Sequence, residues 1–485
     1  MVFSSLLFLY AFLPLCLLCY VLVPGTRGKN VVLLLFSLLF YSWGAPKYLL
    51  LLVGMVVADW KIAEKTEAAK RQGEKKMWLV TACVVNLGLI GIFKYVNFFD
   101  STFMGIFGAD PLLPKIALPI GISFYTFQLL SYVVDVYRGE VPAQKNVFTL
   151  LLYASLFHQC IAGPIVRYRD VSEELLSRHT NFREIGEGVT RFCVGLAKKA
   201  LLANVCGELA DSLIGITTTD PNPVAETILH TDSAALWMSM LFFTLQIYLD
   251  FSAYSDMAIG MGRMIGLHYK ENFNYPYIAR SVKDFWRRWH ISLSSFFRDY
   301  VYIPLGGSRR GTARTIFNLF IVWMLTGFWH GASWNFVLWG LYYFVFLTME
   351  RLFLGKLLEK IPHIIGRVYT WFVVLFGWVL FRFEDFSCVR AMFVAMFGNY
   401  GQNYWLTDNT RLMLGGYFWF VLVAIVATTP LVSFLGKALR RKGEQSKPAE
   451  TIYGVIQSVA PALLLVLSTA ALVGDSYNPF LYFQF

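Results

Sequence analysis

Residues 316–347 read IFNLFIVWMLTGFWHGASWNFVLWGLYYFVFL, 32 positions without an aspartate, glutamate, lysine or arginine. The run to Phe328 and the run from Trp334 each approach the roughly 20 apolar residues that cross hydrocarbon once tilt and short ends are allowed, and Gly331-Ala332-Ser333 separates them. Comparable blocks lie on both sides: Leu6 to Val23, Val31 to Phe40, Leu49 to Val57, Met77 to Phe93, Ile116 to Val134, Val189 to Val205, Ala234 to Leu249, Val368 to Phe381, Leu412 to Leu435 and Val455 to Val473. About twelve crossings follow. Lipid offers no partner to an open backbone, so the expected fold is an all-α polytopic membrane protein.

Composition agrees. Of 485 residues, 57% are hydrophobic and 15% charged, against about one-quarter charged in soluble domains. The net charge of +11 does not call for nucleic acid, because the basic residues fall in short loops where the positive-inside rule expects them. Lys61 to Lys76 carries six of them; Lys437 to Lys442 and the set Arg280, Lys283, Arg287, Arg288, Arg298, Arg309 and Arg310 are likewise placed in the cytoplasm. The acidic loop Glu208 to Asp232 is placed outside. Counting from these anchors puts both termini outside, provided Gly44-Ala45-Pro46-Lys47 is a turn between two short helices. The first block lacks a basic leader and a cleavage site and reads as a retained helix. Seven cysteines without metal-type spacing read as packing residues. No internal repeat divides the chain, so residues 1–485 are expected to form a single membrane domain.

Two regions do not suit simple crossings. Phe148 to Ile165 is short, contains His158 and Gln159 and breaks at Gly163-Pro164, which suits a re-entrant segment buried in protein. Between Gln246 and Tyr300, Asp250, Asp256, Arg263, Glu271, Asp284, Arg287, Arg288, His290 and Asp299 interrupt the aromatics, and must line a cavity or pair with one another.

Ionisable groups inside a membrane are costly and therefore mark function first. His330 leads. Gly331 and Ala332 leave room beside its imidazole, Trp329 and Trp334 exclude water, and Asn335 is a hydrogen-bonding neighbour; a neutral imidazole there can take the proton of an attacking hydroxyl, which suits acyl transfer. A packed histidine bonded to a neighbouring helix is the competing reading. In Asp284 to Ser292, helical spacing groups Trp286, Trp289 and His290 on one side and the guanidiniums of Arg287 and Arg288 on another. Those guanidiniums fit the phosphates of a coenzyme A-type thioester; an interfacial helix with tryptophans at headgroup level is the alternative. His158 reads as a second base or as structure. Metal-ligand spacing, a phosphate-binding glycine loop and a nucleophile elbow are all missing, so no metal and no tightly bound cofactor is expected.

With these residues in view, the chain resembles the membrane-bound O-acyltransferase (MBOAT) superfamily, and within it the alginate O-acetyltransferase branch, nearly end to end. The resemblance rests on Met1-Val2-Phe3-Ser4-Ser5, Leu118 to Tyr125, Asp135-Val136-Tyr137-Arg138-Gly139, Ile161-Ala162-Gly163-Pro164 with Arg167-Tyr168-Arg169-Asp170, and Asp250 to Ala258. Phe285 to Ser294, Arg298-Asp299-Tyr300, Leu305-Gly306-Gly307 and Trp329-His330-Gly331-Ala332 complete it. It implies a helical core with a central funnel where a cytoplasmic donor and an external acceptor meet, His330 as the catalytic histidine and His290 in the same funnel. Two departures stand out. Members often have a proline just before the polar residue leading into Ile-Ala-Gly-Pro, where this chain has His158-Gln159-Cys160; and many have an aspartate where Asn204 follows Lys198-Lys199.

The related D-alanylation machinery of lipoteichoic acid uses a small membrane peptide ending in an aromatic motif around a tyrosine. Residues 474–485, ending Pro479-Phe480-Leu481-Tyr482-Phe483-Gln484-Phe485, look like that motif fused in cis as an external tail, with Tyr482 as acyl acceptor or, alternatively, as part of an interfacial anchor. The expected activity is transfer of acetyl or another short acyl group from a cytoplasmic thioester for O-acylation of an extracytoplasmic polysaccharide, at the cell membrane. An extracytoplasmic hydrolase-like acyltransferase is the partner the resemblance implies. D-alanyl transfer to teichoic acid, and a transporter or flippase with buried ionisable groups in broken helices, are the alternatives.

Overall fold

A computed structural model describes residues 1–161, 163–217, 222–398, 405–444 and 446–474. Tyr482 and the rest of the aromatic tail beyond Gly474 lie outside the described residues. The described chain consists of helices and connecting turns, with no strand among the described residues. Among the described residues, six helices are long and apolar enough to cross a membrane: Gln72–Ile106, Ser233–Met264, Trp334–Lys360, His363–Arg382, Asp408–Ala427 and Lys447–Gly474. Their burial differs widely, 78% of the apolar window in Ser233–Met264 and 11% in each of Asp408–Ala427 and Lys447–Gly474. The latter two present Leu412, Phe418, Trp419, Leu463 and Val466 outward, an apolar surface that water would not tolerate and lipid does.

By contacts the chain divides into two compact units, residues 1–192, 254–271 and 295–304 in one and 193–253, 272–294 and 305–485 in the other. In the first, the Gly25–Gly44 helix ends where Gly44-Ala45-Pro46-Lys47 was expected to turn; Ala45 leaves helical geometry and Pro46–Tyr48 forms one tight turn before the Leu49–Ala68 helix. Both helices have 20 residues rather than being short, because the polar Gly25 to Asn30 and Asp59 to Ala68 stretches extend the apolar blocks. Val147–Ser155 spans nine residues, about 14 Å at the helical rise and under half the hydrocarbon thickness. Asn146 caps it by accepting from the Phe148 N–H at 2.9 Å, and Phe157–Cys160 follows after a break at Leu156.

Several charged residues of this unit are paired, as burial favours. Arg167 donates to Asp299 at 2.7 Å and to the Ser295 hydroxyl at 2.9 Å, Tyr300 donates to the buried Asp135 at 2.7 Å, and Arg191 reaches Asp256 at 2.9 Å. Three stretches singled out in the sequence, around Asp135, Arg167 and Asp299, thus form one network.

In the second unit the opening stretch becomes two helices, Thr312–His330 and Trp334–Met349, folded against each other. Glycine makes their approach possible. A Cβ at Gly327 would lie 2.5 Å from the Phe336 carbonyl oxygen, and one at Gly340 would collide with the Trp323 carbonyl. Gly340→Leu is therefore expected to destabilise the protein by about 1–3 kcal/mol through overpacking, read as a lower melting temperature in detergent, whereas Gly415→Ala, where nothing lies within 4 Å, should melt like the wild type. Equal melting of all three proteins would refute this packing.

Candidate active site

His330 is the last residue of the Thr312–His330 helix, and its side chain is buried. Its imidazole meets the Trp329, Trp339 and Phe381 rings at centroid distances of 5.0, 4.8 and 5.3 Å, each close to perpendicular. His290 is fully buried, with Phe251 at 4.7 Å and Trp329 at 5.5 Å. The Trp329 indole therefore contacts both histidines, and aromatic rings enclose the pair.

The segment bearing His290 differs from its expected form. Trp286, Trp289 and His290 do not share one helical face, because the helix Val282–Arg288 ends before Trp289, which is extended, and His290 has a left-handed backbone with φ 43°. The cause is distant in sequence. The Asn274 N–H donates to the Arg288 carbonyl and the Ile291 N–H to the Asn272 carbonyl, both at 2.9 Å, so residues 272–274 hold 288–291 out of helix before Ile291–Phe297 resumes.

The tryptophans separate accordingly. Trp286 packs on Trp323, Trp339 and Tyr343 at 4.7, 5.5 and 4.9 Å, and Trp289 on Phe285, Phe273 and Trp378 at 5.5, 5.1 and 5.0 Å. Trp334, expected to exclude water, is 47% exposed; the fully buried Trp339, one turn and a residue later, lies against the imidazole instead. The space beside Gly331 is not left for a ligand either, since the Phe336 ring occupies the position a Cβ would take. Asn335 is fully buried and donates its amide to the Leu380 and Phe381 carbonyls, both at 3.3 Å, which fixes the Phe381 ring's helix against its own. Arg288 is engaged by Asp284 at 2.9 Å and by the Asn274 carbonyl at 3.2 Å, while Arg287 is exposed.

Asn272 and Glu350, which sequence reasoning passed over, and the Lys199–Asp250 pair organise this arrangement. Asn272 accepts from His290 and from Ser292. Lys199 and Asp250 form a buried ion pair at 2.8 Å, one residue before Phe251. Glu350, buried at the end of an apolar helix, accepts from the backbone N–H groups of Val282 at 2.6 Å and Lys283 at 2.9 Å. With Ser281, whose hydroxyl accepts from the Asp284 N–H at 3.0 Å, it satisfies the N-terminal donors that a seven-residue helix cannot. An acidic residue in or beside an apolar run was the available signal for all but Asn272.

The model of the membrane-bound O-acyltransferase family matches residues 142–384. The probable alginate O-acetylase AlgI of Pseudomonas putida is 38% identical with all of both chains covered. The peptidoglycan O-acetyltransferase of Helicobacter pylori is 33% identical over 82% of this chain and 80% of its own length. The teichoic acid D-alanyltransferase of Bacillus subtilis is 26% identical over 55% of this chain and 69% of its own.

Glu350→Ala leaves the buried Val282 N–H and the partly buried Lys283 N–H without this acceptor. It is expected to cost about 1–3 kcal/mol and to lower turnover by loosening the segment that carries His290. Thermal unfolding in detergent checks the first effect, and an unchanged melting temperature would discount the clamp.

Proposed function

Because this chain belongs to the membrane-bound O-acyltransferase family, we propose that it moves an acetyl or other short acyl group from a cytoplasmic thioester across the cell membrane for O-acylation of an extracytoplasmic polysaccharide. The chain is an acyltransferase and a multi-pass membrane protein. The observation that carries the finer reading is the pair His330 and His290 against one indole, Trp329, inside a wall of aromatic rings.

Acyl transfer from a thioester needs a group to take the proton of the attacking hydroxyl and a group to return a proton to the departing thiolate. The hydroxyl oxygen bonds to the acyl carbon as the carbon–sulfur bond breaks. His330 and His290 are the groups we assign to these movements, while Trp329, Trp339 and Phe381 keep out the water that would hydrolyse the thioester. Arg287, exposed and beside the helix end, suits the donor's phosphates better than Arg288, which Asp284 already holds. The basic loops support entry of donor from the cytoplasm, and an extracytoplasmic hydrolase-like partner would complete transfer to the polymer.

Purified protein is expected to consume an acyl thioester such as acetyl-coenzyme A, and His330→Ala to abolish this. Inverted membrane vesicles should consume added donor where right-side-out vesicles do not. Persisting turnover in His330→Ala refutes the role of His330, and the opposite sidedness refutes the direction. The similarity to a teichoic acid D-alanyltransferase supports a second reading, D-alanine delivered from a protein-bound thioester, distinguished by indifference to acetyl-coenzyme A and turnover of the charged carrier. In either case Tyr482 is the acceptor we propose for a covalent relay. The C-terminal peptide recovered after incubation with donor should carry the acyl mass on Tyr482, and an unmodified peptide from an active preparation rules the relay out.

A further inference from the structure

The oxygen of one buried amide decides which nitrogen of His290 carries its proton. Three groups converge on Asn272 Oδ1: the Ser292 backbone N–H at 3.2 Å, the Ser292 hydroxyl at 2.8 Å and His290 Nδ1 at 3.1 Å. A backbone N–H can only donate, so the atom facing it must be the amide oxygen and not the amide nitrogen. An oxygen offers no proton, so at 3.1 Å the imidazole nitrogen must supply one; two lone pairs would otherwise face each other. The Ser292 hydroxyl does not fill that role, since it lies 3.4 Å from Nδ1 and 2.8 Å from Oδ1. Neutral His290 is accordingly the Nδ1–H form, with its lone pair on Nε2 at the far edge of the ring. Nε2 is fully buried and has no hydrogen-bond partner among the described residues, in a ring bounded by Phe251, Phe273 and Trp329.

We infer that Asn272 is a positioning residue for acyl transfer, holding His290 as the Nδ1–H tautomer so that Nε2 is the nitrogen that takes the proton of the attacking hydroxyl. Free imidazole side chains in water favour the opposite tautomer, which would present Nε2–H to a group that must lose a proton. The left-handed backbone at His290, uncommon for a residue with a side chain, fits this account. It turns the ring towards Asn272, and the Ile291 to Asn272 and Asn274 to Arg288 backbone bonds hold it there. In the step itself the hydroxyl proton moves to Nε2, the oxygen bonds to the acyl carbon, the carbon–sulfur electron pair leaves on sulfur, and the thiolate takes that proton back from the imidazolium, which returns to its neutral form. Nδ1–H stays on Asn272 throughout and shares the imidazolium charge with its oxygen.

The inference rests on reading the aromatic enclosure as an acyl-transfer site, and two readouts keep them apart. Protein labelled with ring-15N histidine in liposomes should show by solid-state NMR one neutral Nδ1–H imidazole that disappears in His290→Gln and shifts to the Nε2–H form in Asn272→Ala. With acetyl-coenzyme A, Asn272→Ala should lower kcat by about 10- to 100-fold with KM within about twofold, and Asn272→Asp, which keeps an oxygen acceptor, should recover most of the loss. No Nδ1–H signal at His290 overturns the inference, and so does wild-type kcat in Asn272→Ala or equal loss in the alanine and aspartate variants. If Asn272→Ala does not fold, Asn272→Asp and the wild-type spectrum still decide it. A wild-type protein with the expected tautomer but no thioester turnover would instead overturn the acyl-transfer reading.

Discussion

Glu350 sets its two carboxylate oxygens on the N–H groups of Val282 and Lys283, and through that clamp a seven-residue helix too short to stand by its own hydrogen bonds is fixed against the Trp334–Met349 helix. The peptide groups at a helix start carry partial positive charge and lack internal acceptors. In a buried setting the cost of leaving them bare exceeds what a short helix gains. The carboxylate removes that cost and is itself relieved by two donors. Trp286 then reaches Trp323, Trp339 and Tyr343, and the chain arrives at Trp289 and His290 in a fixed place.

The same rule, that a polar group withdrawn from water must be met by another, accounts for the neighbouring features. Lys199 is met by Asp250, Arg382 by Asp211 at 2.7 Å, and the Asn335 amide by two carbonyls at the end of His363–Arg382. Such pairs add little net stability relative to apolar packing, but each has a single geometry, so they select one arrangement of helices among many that would bury the same area. Close approach then depends on Gly327 and Gly340, which bring the two halves of the opening stretch within reach of one another's carbonyls.

This difference explains what the sequence made legible. The helices and the break at Gly44 follow from local properties, hydropathy and Pro46, and both histidines stand out because an ionisable residue in an apolar run is costly. The end of helix at Trp289 does not, because Asp284 to Ser292 carries no local breaker; the pairing with residues 272–274, set by tertiary contact, overrides its helical spacing. Asn272 sits in a turn-like Asn-Phe-Asn-Tyr-Pro stretch that announces a loop and says nothing of what its amide will meet. Gly331 was read as open space and is filled by Phe336, since a missing side chain shows that something approaches without showing what. The expected twelve crossings rest on counting short blocks, whereas six helices satisfy length and hydropathy together among the described residues.

Among the described residues, the Phe251, Phe273, Trp329, Trp339 and Phe381 rings lie against the two imidazoles, and phenylalanine and tryptophan neither accept nor release protons at biological pH. Acyl transfer nevertheless requires a proton to leave the acceptor and another to reach sulfur. Water could carry both, but water admitted to the enclosure is also a nucleophile in great excess and would consume the thioester. A wall that excludes it must therefore leave the proton traffic to side chains or to the substrates, and of the titratable groups in ring contact with that wall, Tyr248 and Tyr343 included, the histidines are the ones whose ordinary range lies near neutral pH. An imidazole can serve only with the correct nitrogen bare. In water, rapid exchange between tautomers supplies that nitrogen part of the time. In a dry, packed site exchange has no route, so the tautomer must be fixed by a permanent neighbour, and a neutral amide oxygen fixes it without adding a charge that the surroundings would have to bury.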